Sequence, residues 1–287
     1  MHKRIVALFF NPEKKNAIVI AKEITTFFKK HNISFVSDNF TLIDAQDLSS
    51  IDPNDIDILI ALGGDGTILR LSHKYPNIKA PILGINLGNI GFMADIPIQD
   101  LKNSLNDLLE NKYTIEKRII IEGGATNKTS SFHAANDIVI HRARNHSLIE
   151  LAIYIDGNYL NTFVSDGIIL STPNGSTAYS LSAGGPILLP QLDAFVLTPI
   201  CPHAISNRPI VITSDREIEI QYVSDSKIPI DVYADGIDYG KMQSMQIFKF
   251  YKSKKTFNLV KLNRHNYFST LRSKLGWSGK LPVSSNN

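Results

Sequence analysis

Three short, predominantly apolar segments constrain this chain more than any other feature of its sequence: the continuous run IVALFF (Ile5 to Phe10), then IDILIAL (Ile56 to Leu62) and PILGIN (Pro81 to Asn86). A strand that is apolar at nearly every position must be covered on both faces, which is the condition of a parallel sheet flanked by helices. The intervening segments supply those helices. Ala17 to Lys30 carries Ile18, Ala21, Ile24 and Phe28 at helical spacing, and SFVS reads as a further strand. ILRLSHKY follows a glycine-rich turn as a helix, and LKNSLNDLLENKY sets Leu101, Leu105, Leu108 and Leu109 on one face. Residues 1–113 are therefore expected to form an α/β domain with an open parallel sheet.

From Thr114 the pattern changes. RIIIEG, FHAANDIVIH, LIELAIYIDG, TFVSDGIILST, PIVIT, EIEIQYV and IPIDVYADG are short, β-branched and often alternating. Asp156-Gly157-Asn158 and Asp235-Gly236 read as turns between strands. Residues 114–263 are expected to form a β-rich domain, with a helix near Ser176 to Ala183. NYFSTLRSKLGW reads as a terminal helix ending at Gly276, and residues 264–287 are expected to complete the first domain, with a frayed tail from Pro282.

Charge is distributed unevenly behind a formal net charge of +3. From Tyr251 onward there are eight basic residues (Lys252, Lys254, Lys255, Lys261, Arg264, Arg272, Lys274, Lys280) and no acidic one, so the rest of the chain is net acidic. Leu151 to Ile200 contains no Lys or Arg. Nucleic-acid binding is not expected, because affinity for a phosphate backbone needs distributed cations. A single cysteine, Cys201, excludes an internal disulfide framework and a CxxC zinc site, and reads as a buried small hydrophobe. No apolar run approaches the ~20 residues that span a bilayer. The opening MHKRIVALFFNPEKK lacks small residues suited to cleavage, so it reads as a first strand, and the cytoplasm is the expected compartment.

Gly63-Gly64-Asp65-Gly66-Thr67 lies between a buried strand and a helix, where open α/β sheets bind ligands. Its glycines allow close backbone approach and present N–H groups, so Gly64 and Gly66 are candidates to hold phosphate. No Lys follows, so it is not a Walker A loop. Asp65 would repel phosphate. It either faces a divalent metal or accepts the proton of a substrate hydroxyl, as the catalytic Asp of phosphoryl-transfer enzymes does. A helix-capping turn is the plain alternative.

Two more clusters follow. Gly84 to Phe92 departs from GxGxxG and is either a simple turn or a ligand wall on which Phe92 packs against a flat ring. Asp166 to Pro186 runs from a strand into a neutral Gly/Ser/Thr loop with one aromatic, chemistry suited to a purine and a ribose. A cation-free stretch with a carboxylate such as Asp166 also suits a positively charged nicotinamide ring.

GGDGT, NDIVIH, STPNGSTAYSLSAGGPI, PHAISNRPIV and FSTLRSKLGW occur in the order seen in NAD kinases. GGDGT is shared with lipid kinases and phosphofructokinases. The GSTAY–LSAGGPI segment and the KLGW ending are far more specific. From Gly63 to Trp277 the sequence resembles bacterial NAD kinases of the single-chain type.

The resemblance implies phosphorylation of the 2′-hydroxyl of the adenosine ribose of NAD, with ATP or polyphosphate as donor and Asp65 as the proton acceptor. It implies a dinucleotide contact from the Gly66 backbone and a phosphate contact near Arg70. Asn136 and Asp137 match an Asn-Glu/Asp pair that contacts adenine and ribose. Asp166, Thr177, Ala178, Tyr179 and Ser182 match NAD-binding positions, part of the contact coming from a neighbouring subunit of a homodimer or homotetramer. Tyr179 reads alternatively as a half-buried core aromatic. With no HExxH or similar spacing, no metal-ligating set is expected in the chain, and Mg²⁺ would arrive with the phosphate donor. Three positions depart from the family pattern: Asn174 where Ser or Thr is usual, Val164 where Lys or Arg is frequent, and Ile237 where Gln is frequent. A non-catalytic NAD(P) sensor and a lipid or sugar kinase sharing GGDGT are the alternatives. An unpaired Asp65 carboxylate would count against the sensor, since binding alone has little need of it.

Overall fold

The structure is a computed structural model that describes residues 4–126, 131–144, 146–225 and 228–277. In chain order its strands and α-helices are β1 Ile5–Phe10, α1 Lys15–Lys30, β2 Ser34–Ser37, α2 Phe40–Ile43, β3 Gln46–Asp47, β4 Ile58–Leu62, α3 Asp65–Lys74, β5 Ile82–Asn86, β6 Ile96–Pro97, α4 Leu101–Leu109, β7 Tyr113–Ala125, β8 Phe132–Ala134 and β9 Asp137–His141. They continue with β10 Ile149–Ile155, β11 Asn158–Ser165, β12 Gly167–Ser171, α5 Tyr179–Ser182, β13 Ala194–Ile200, β14 Ile210–Thr213, β15 Ile218–Val223, β16 Ile230–Ala234, β17 Ile237–Met242, β18 Ile247–Leu262 and α6 Tyr267–Leu275. The chain divides into two compact units, one built from the residues up to Glu116 and from Asn258 onward, the other from Lys117–Phe257. The divisions fall within β7 and β18, whereas the change of sequence character suggested 113/114 and 263/264.

In the first unit the parallel strands lie in the order β3-β2-β1-β4-β5, with Leu259 of β18 paired to Ile82 of β5. The chain leaves β1 in one direction and returns to its other side at β4. The strand order therefore reverses between the carboxyl ends of β1 and β4, where open α/β sheets bind ligands. Ile58, Ile60 and Leu62 of β4 join a core with Ala17, Ala21, Ile24 and Phe28 of α1 and Leu101, Leu105 and Leu108 of α4. On the opposite face α3 crosses β5 so closely that a Cβ on Gly84 would sit 2.6 Å from Ile68 Cδ1.

One helix boundary differs from the sequence expectation. The helix begun at Leu101 stops at Leu109, because Asn111 adopts φ 56° and turns the chain into β7 at Tyr113. The terminal helix spans Tyr267–Leu275 and ends at Gly276 as its sequence suggests. Asn266 Oδ1 caps it by accepting the Phe268 N–H at 2.8 Å, and Gly276 ends it at φ 65°. Lys280 and the tail from Pro282 lie outside the described residues.

The second unit packs antiparallel sheets face to face. One contains β14-β13-β12-β9-β16-β17, and the other contains β11, β10, β15 and the Ile247–Phe250 part of β18. Alternation decides which side chains meet: Ile218, Ile220 and Tyr222 of β15 are buried while Glu219 and Gln221 are not. They join Ile140, Ile168, Leu170, Phe195 and Val232 of the six-stranded sheet in one core. The Asp156-Gly157 and Asp235-Gly236 turns have φ 49° and 76°, and 50° and 77°, as two-residue hairpins of type I′ require. The outer face of the six-stranded sheet carries Val139, Ile169 and Ile200, and Ala183 packs there from the segment that includes α5.

No described helix is long and apolar enough to cross a membrane.

Candidate functional site

In the first unit β4 delivers the chain into Gly63, where a Cβ would fall 2.2 Å from Thr67 Oγ1. That glycine is required by the fold itself. At Gly64 and Gly66 an added Cβ would meet nothing within 4 Å, so their backbones face open space. Gly64 caps α3 and Asp65 is its first residue. The amino end of α3, with its unpaired N–H groups and partial positive charge, suits an anion beside these exposed glycines. Arg70 lies exposed further along the same helix.

Asp65 is neither a cap of its own helix nor an unpaired carboxylate. Its Oδ2 accepts the Phe92 N–H at 2.9 Å, and its Oδ1 accepts those of Met93 at 3.1 Å and Ala94 at 2.9 Å. A Cβ at Gly91 would lie 2.0 Å from Asp65 Oδ1, so the second glycine cluster serves to bring this loop against the carboxylate. Because it is paired, the Asp65 carboxylate does not count against a binding-only sensor. An ionised carboxylate has about four acceptor positions, so roughly one is left for a ligand hydroxyl.

The loop is itself anchored. Asn86 Nδ2 donates to the carbonyls of Asn89 at 2.7 Å and Ala94 at 3.1 Å, and its Oδ1 accepts the Gly88 N–H at 2.7 Å. Lys261 of β18 donates to the Phe92 carbonyl at 3.2 Å and pairs with the buried Asp95 at 2.7 Å. The Phe92 ring packs at 5.9 Å from that of Tyr267 in α6, which already supplies an aromatic neighbour to the expected ligand wall.

In the second unit Asn136 and Asp137 open β9. The Asp235 carboxylate accepts the backbone N–H groups of Ala135 at 2.9 Å, Asn136 at 2.7 Å and Asp137 at 3.2 Å. On the other side Thr172 N–H donates to the Asn136 carbonyl at 2.8 Å, and a Cβ at Gly175 would come within 2.2 Å of that oxygen. Asn136 is thus held by its backbone from two directions. Asp137 is 6% exposed, and burial first, then the neighbouring Asp235 charge, push its pKa up to about 7.

The Gly175–Pro186 segment separates into two sets. Ser176 and Ser180 are fully buried. Ser176 Oγ donates to the Pro173 carbonyl at 2.6 Å and accepts the Leu188 N–H at 3.0 Å, while Ser180 Oγ and Thr198 Oγ1 lie 2.9 Å apart. Thr177 and Ala178 are half-buried and Ser182 is exposed; Tyr179, at 43% exposure, is not a core aromatic. The four residues proposed to meet ligand are thus among those the fold leaves accessible, as are Gly184 and Pro186.

Three readings are revised. Asp166 pairs with Arg142 Nε at 2.7 Å, so a stretch without Lys or Arg in sequence is not without cations in space. The basic terminal segment is partly neutralised: Lys252 pairs with Asp193 at 2.5 Å, Lys261 with Asp95, and Arg264 with Asp100 at 3.3 Å and Asp107 at 2.5 Å. Cys201 is exposed, because β13 ends at Ile200 and the chain turns there at φ 45°. Sequence reasoning also missed Arg118, Arg142, Asp235 and Lys261. Arg118 had a visible signal, since a charged residue directly before IIIEG in a strand of the core must find a partner.

An anion-accepting helix end at the reversal of a parallel sheet, in a chain that also carries a polar loop over a β-sandwich, defines a class of two-unit nucleotide-binding protein. Residues 6–113 match the family model described as ATP-NAD kinase N-terminal domain, and residues 135–262 match ATP-NAD kinase C-terminal domain. The NAD kinase of Protochlamydia amoebophila (strain UWE25) is 52% identical over 281 residues, covering 97% of this chain and all of that protein. The NAD kinase of Nitrosomonas europaea is 40% identical over 232 residues, 80% of this chain and 78% of the other. Among solved structures, yeast NADH kinase complexed with NADH superposes with a TM-score of 0.84 at 25% identity, over 98% of this chain and 90% of that one. An NAD kinase from Archaeoglobus fulgidus in complex with ATP gives 0.73 at 25% identity, over 96% and 100%. The chain belongs to the ATP-NAD kinase family.

Proposed function

We propose that this NAD kinase family member transfers a phosphoryl group to the 2′-hydroxyl of the adenosine ribose of NAD, giving NADP, with Asp65 as the proton acceptor. The observation that carries the reading is the Asp65 carboxylate at the start of α3, immobilised by three backbone N–H groups yet with an acceptor position to spare. A ribose hydroxyl donating to that position is oriented for attack. As its oxygen bonds to the terminal phosphorus of ATP or polyphosphate, the bond to the leaving phosphate breaks and the proton passes to Asp65. The exposed Gly64 and Gly66 backbones and the amino end of α3 favour the phosphates, with Arg70 on the same helix.

Asn136, Asp137, Asp166, Thr177, Ala178, Tyr179 and Ser182 recognise NAD, and Phe92 borders the reacting end. Among the described residues no three His, Cys, Asp or Glu side chains are grouped to hold a metal. Mg²⁺ carried by the donor phosphates would neutralise their charge. The protein acts in the cytoplasm as a homodimer or homotetramer, a reading supported by the family resemblance.

Purified protein given Mg²⁺, ATP or polyphosphate, and NAD⁺ or NADH should form the 2′-phosphorylated product. Asp65→Asn should lose about 10²–10⁴-fold in kcat. Near-normal kcat in a folded variant would remove Asp65 from this role. Absence of product from the wild type would sink the activity itself.

A further inference from the structure

Asn174 is one of the positions at which the sequence departs from its family pattern, and the structure supplies a use for it. Arg118 of β7 is 2% exposed, and its Nη1 donates to Asn174 Oδ1 at 2.7 Å. Asn174 Nδ2 donates in turn to Asn136 Oδ1 at 2.5 Å. All of these groups belong to the Lys117–Phe257 unit.

The chemistry of the first member dictates the direction of the whole chain. A guanidinium is always charged and can only donate. The end of Asn174 that faces it must therefore be the oxygen, which turns the amide nitrogen of Asn174 toward Asn136. That nitrogen can only donate, so the end of Asn136 that receives it must be its oxygen. An amide whose two ends are otherwise nearly interchangeable is set in one orientation, with Asn136 Nδ2 directed away from Asn174. Among the described residues Asn136 Nδ2 has no hydrogen-bond partner, and the side chain is half-buried. The backbone of Asn136 is already fixed by Asp235 on one side and by Thr172 on the other.

We propose that Arg118 and Asn174 are positioning residues that hold Asn136 as a preorganised donor, so that this place in the site accepts an acceptor atom of the ligand and rejects a donor. Preorganisation lowers the ordering cost of binding, and a wrongly directed polar group there would leave two buried acceptors or two buried donors facing each other. The inference rests on the proposed NAD-binding role of Asn136. It adds that the polarity of that contact is decided by two residues which do not themselves touch the ligand.

The test is Asn174→Asp, which keeps the size of the side chain and its pairing with Arg118 but replaces a donor by an acceptor. Asn136 must then rotate its NH₂ toward the new carboxylate and present its oxygen to the ligand. KM for NAD⁺, and Kd measured by calorimetry, should rise about tenfold or more, with kcat within about twofold and the thermal midpoint not lowered. Arg118→Lys, which keeps a donor-only cation, should stay within about threefold of wild-type KM. Asn174→Ser, whose hydroxyl rotates freely and imposes no direction, should weaken binding to an intermediate extent. KM and Kd unchanged in folded Asn174→Asp would overturn the proposal, as would a loss confined to kcat. If Asn174→Asp does not fold, Asn174→Ser decides: unchanged KM and Kd overturn the inference, and a rise of threefold or more supports it. Wild-type protein that binds NAD⁺ without turnover would defeat the proposed activity while leaving this binding test intact.

Discussion

Asp137 enters the β-sandwich unit almost wholly buried, beside a second carboxylate on Asp235 that is committed to three backbone N–H groups. Burial and that neighbour raise its pKa to about 7, well above the ordinary value of 3.8. The consequence for stability has a definite sign. Between about pH 4 and pH 7 the unfolded chain has released this proton while the folded protein retains it. The unfolded state therefore gains on the folded one as pH rises through that window, and the loss levels off above about pH 7. Asp137→Asn removes the titration and should become progressively more stable than wild type from pH 4 to pH 7, with a constant difference beyond. Denaturant titrations of both proteins across that range measure it, and a difference independent of pH would refute it. The same residue was legible in sequence only as half of an Asn-Asp pair, because burial and the approach of Asp235 join positions far apart in the chain.

At the scale of elements, the loop after β5 illustrates how a motif acquires its partners. GGDGT and the Gly84–Phe92 cluster were both visible, and their positions after buried strands followed from hydrophobic runs. That the second loop grips the first through Asp65 was not visible, since backbone N–H groups leave no mark in a sequence. Lys261 on β18 secures the arrangement by pairing with Asp95, which is 8% exposed in its side chain, and by donating to the Phe92 carbonyl. Removing one member of a buried pair strands the other charge, so Lys261→Met should cost about 3–5 kcal/mol. Adding Asp95→Leu to it should recover a large part of that loss, because the pair itself offsets a desolvation penalty of similar size. A double-mutant cycle in denaturant checks both statements. Helix ends were less legible than helix faces. The α4 stripe was clear, but its stop at Leu109 depends on the left-handed φ of Asn111.

For the whole molecule, ligand linkage gives the broadest test. A ligand bound only by the folded state stabilises it by about 2.7 kcal/mol at a concentration of 100 Kd. NAD⁺ at that excess should raise the calorimetric midpoint of the wild type, and raise it less for Asn174→Asp at the same concentration. No shift with NAD⁺ would contradict the proposed ligand.

The sequence carries the fold class, since nearly continuous apolar runs admit little but a parallel sheet covered on both faces, and alternating β-branched runs little but a half-exposed antiparallel one. It also identified the family through GGDGT, GSTAY and LSAGGPI. How charge and hydrogen bonds are shared is settled by the folded chain. The stretch from Leu151 to Ile200 contains no cation, yet Arg142 reaches Asp166 and Arg118 reaches Asn174. Hydrophobic pattern is a local property read along one strand, whereas polar partners are chosen in space, where residues 56 positions apart can be hydrogen-bonded neighbours.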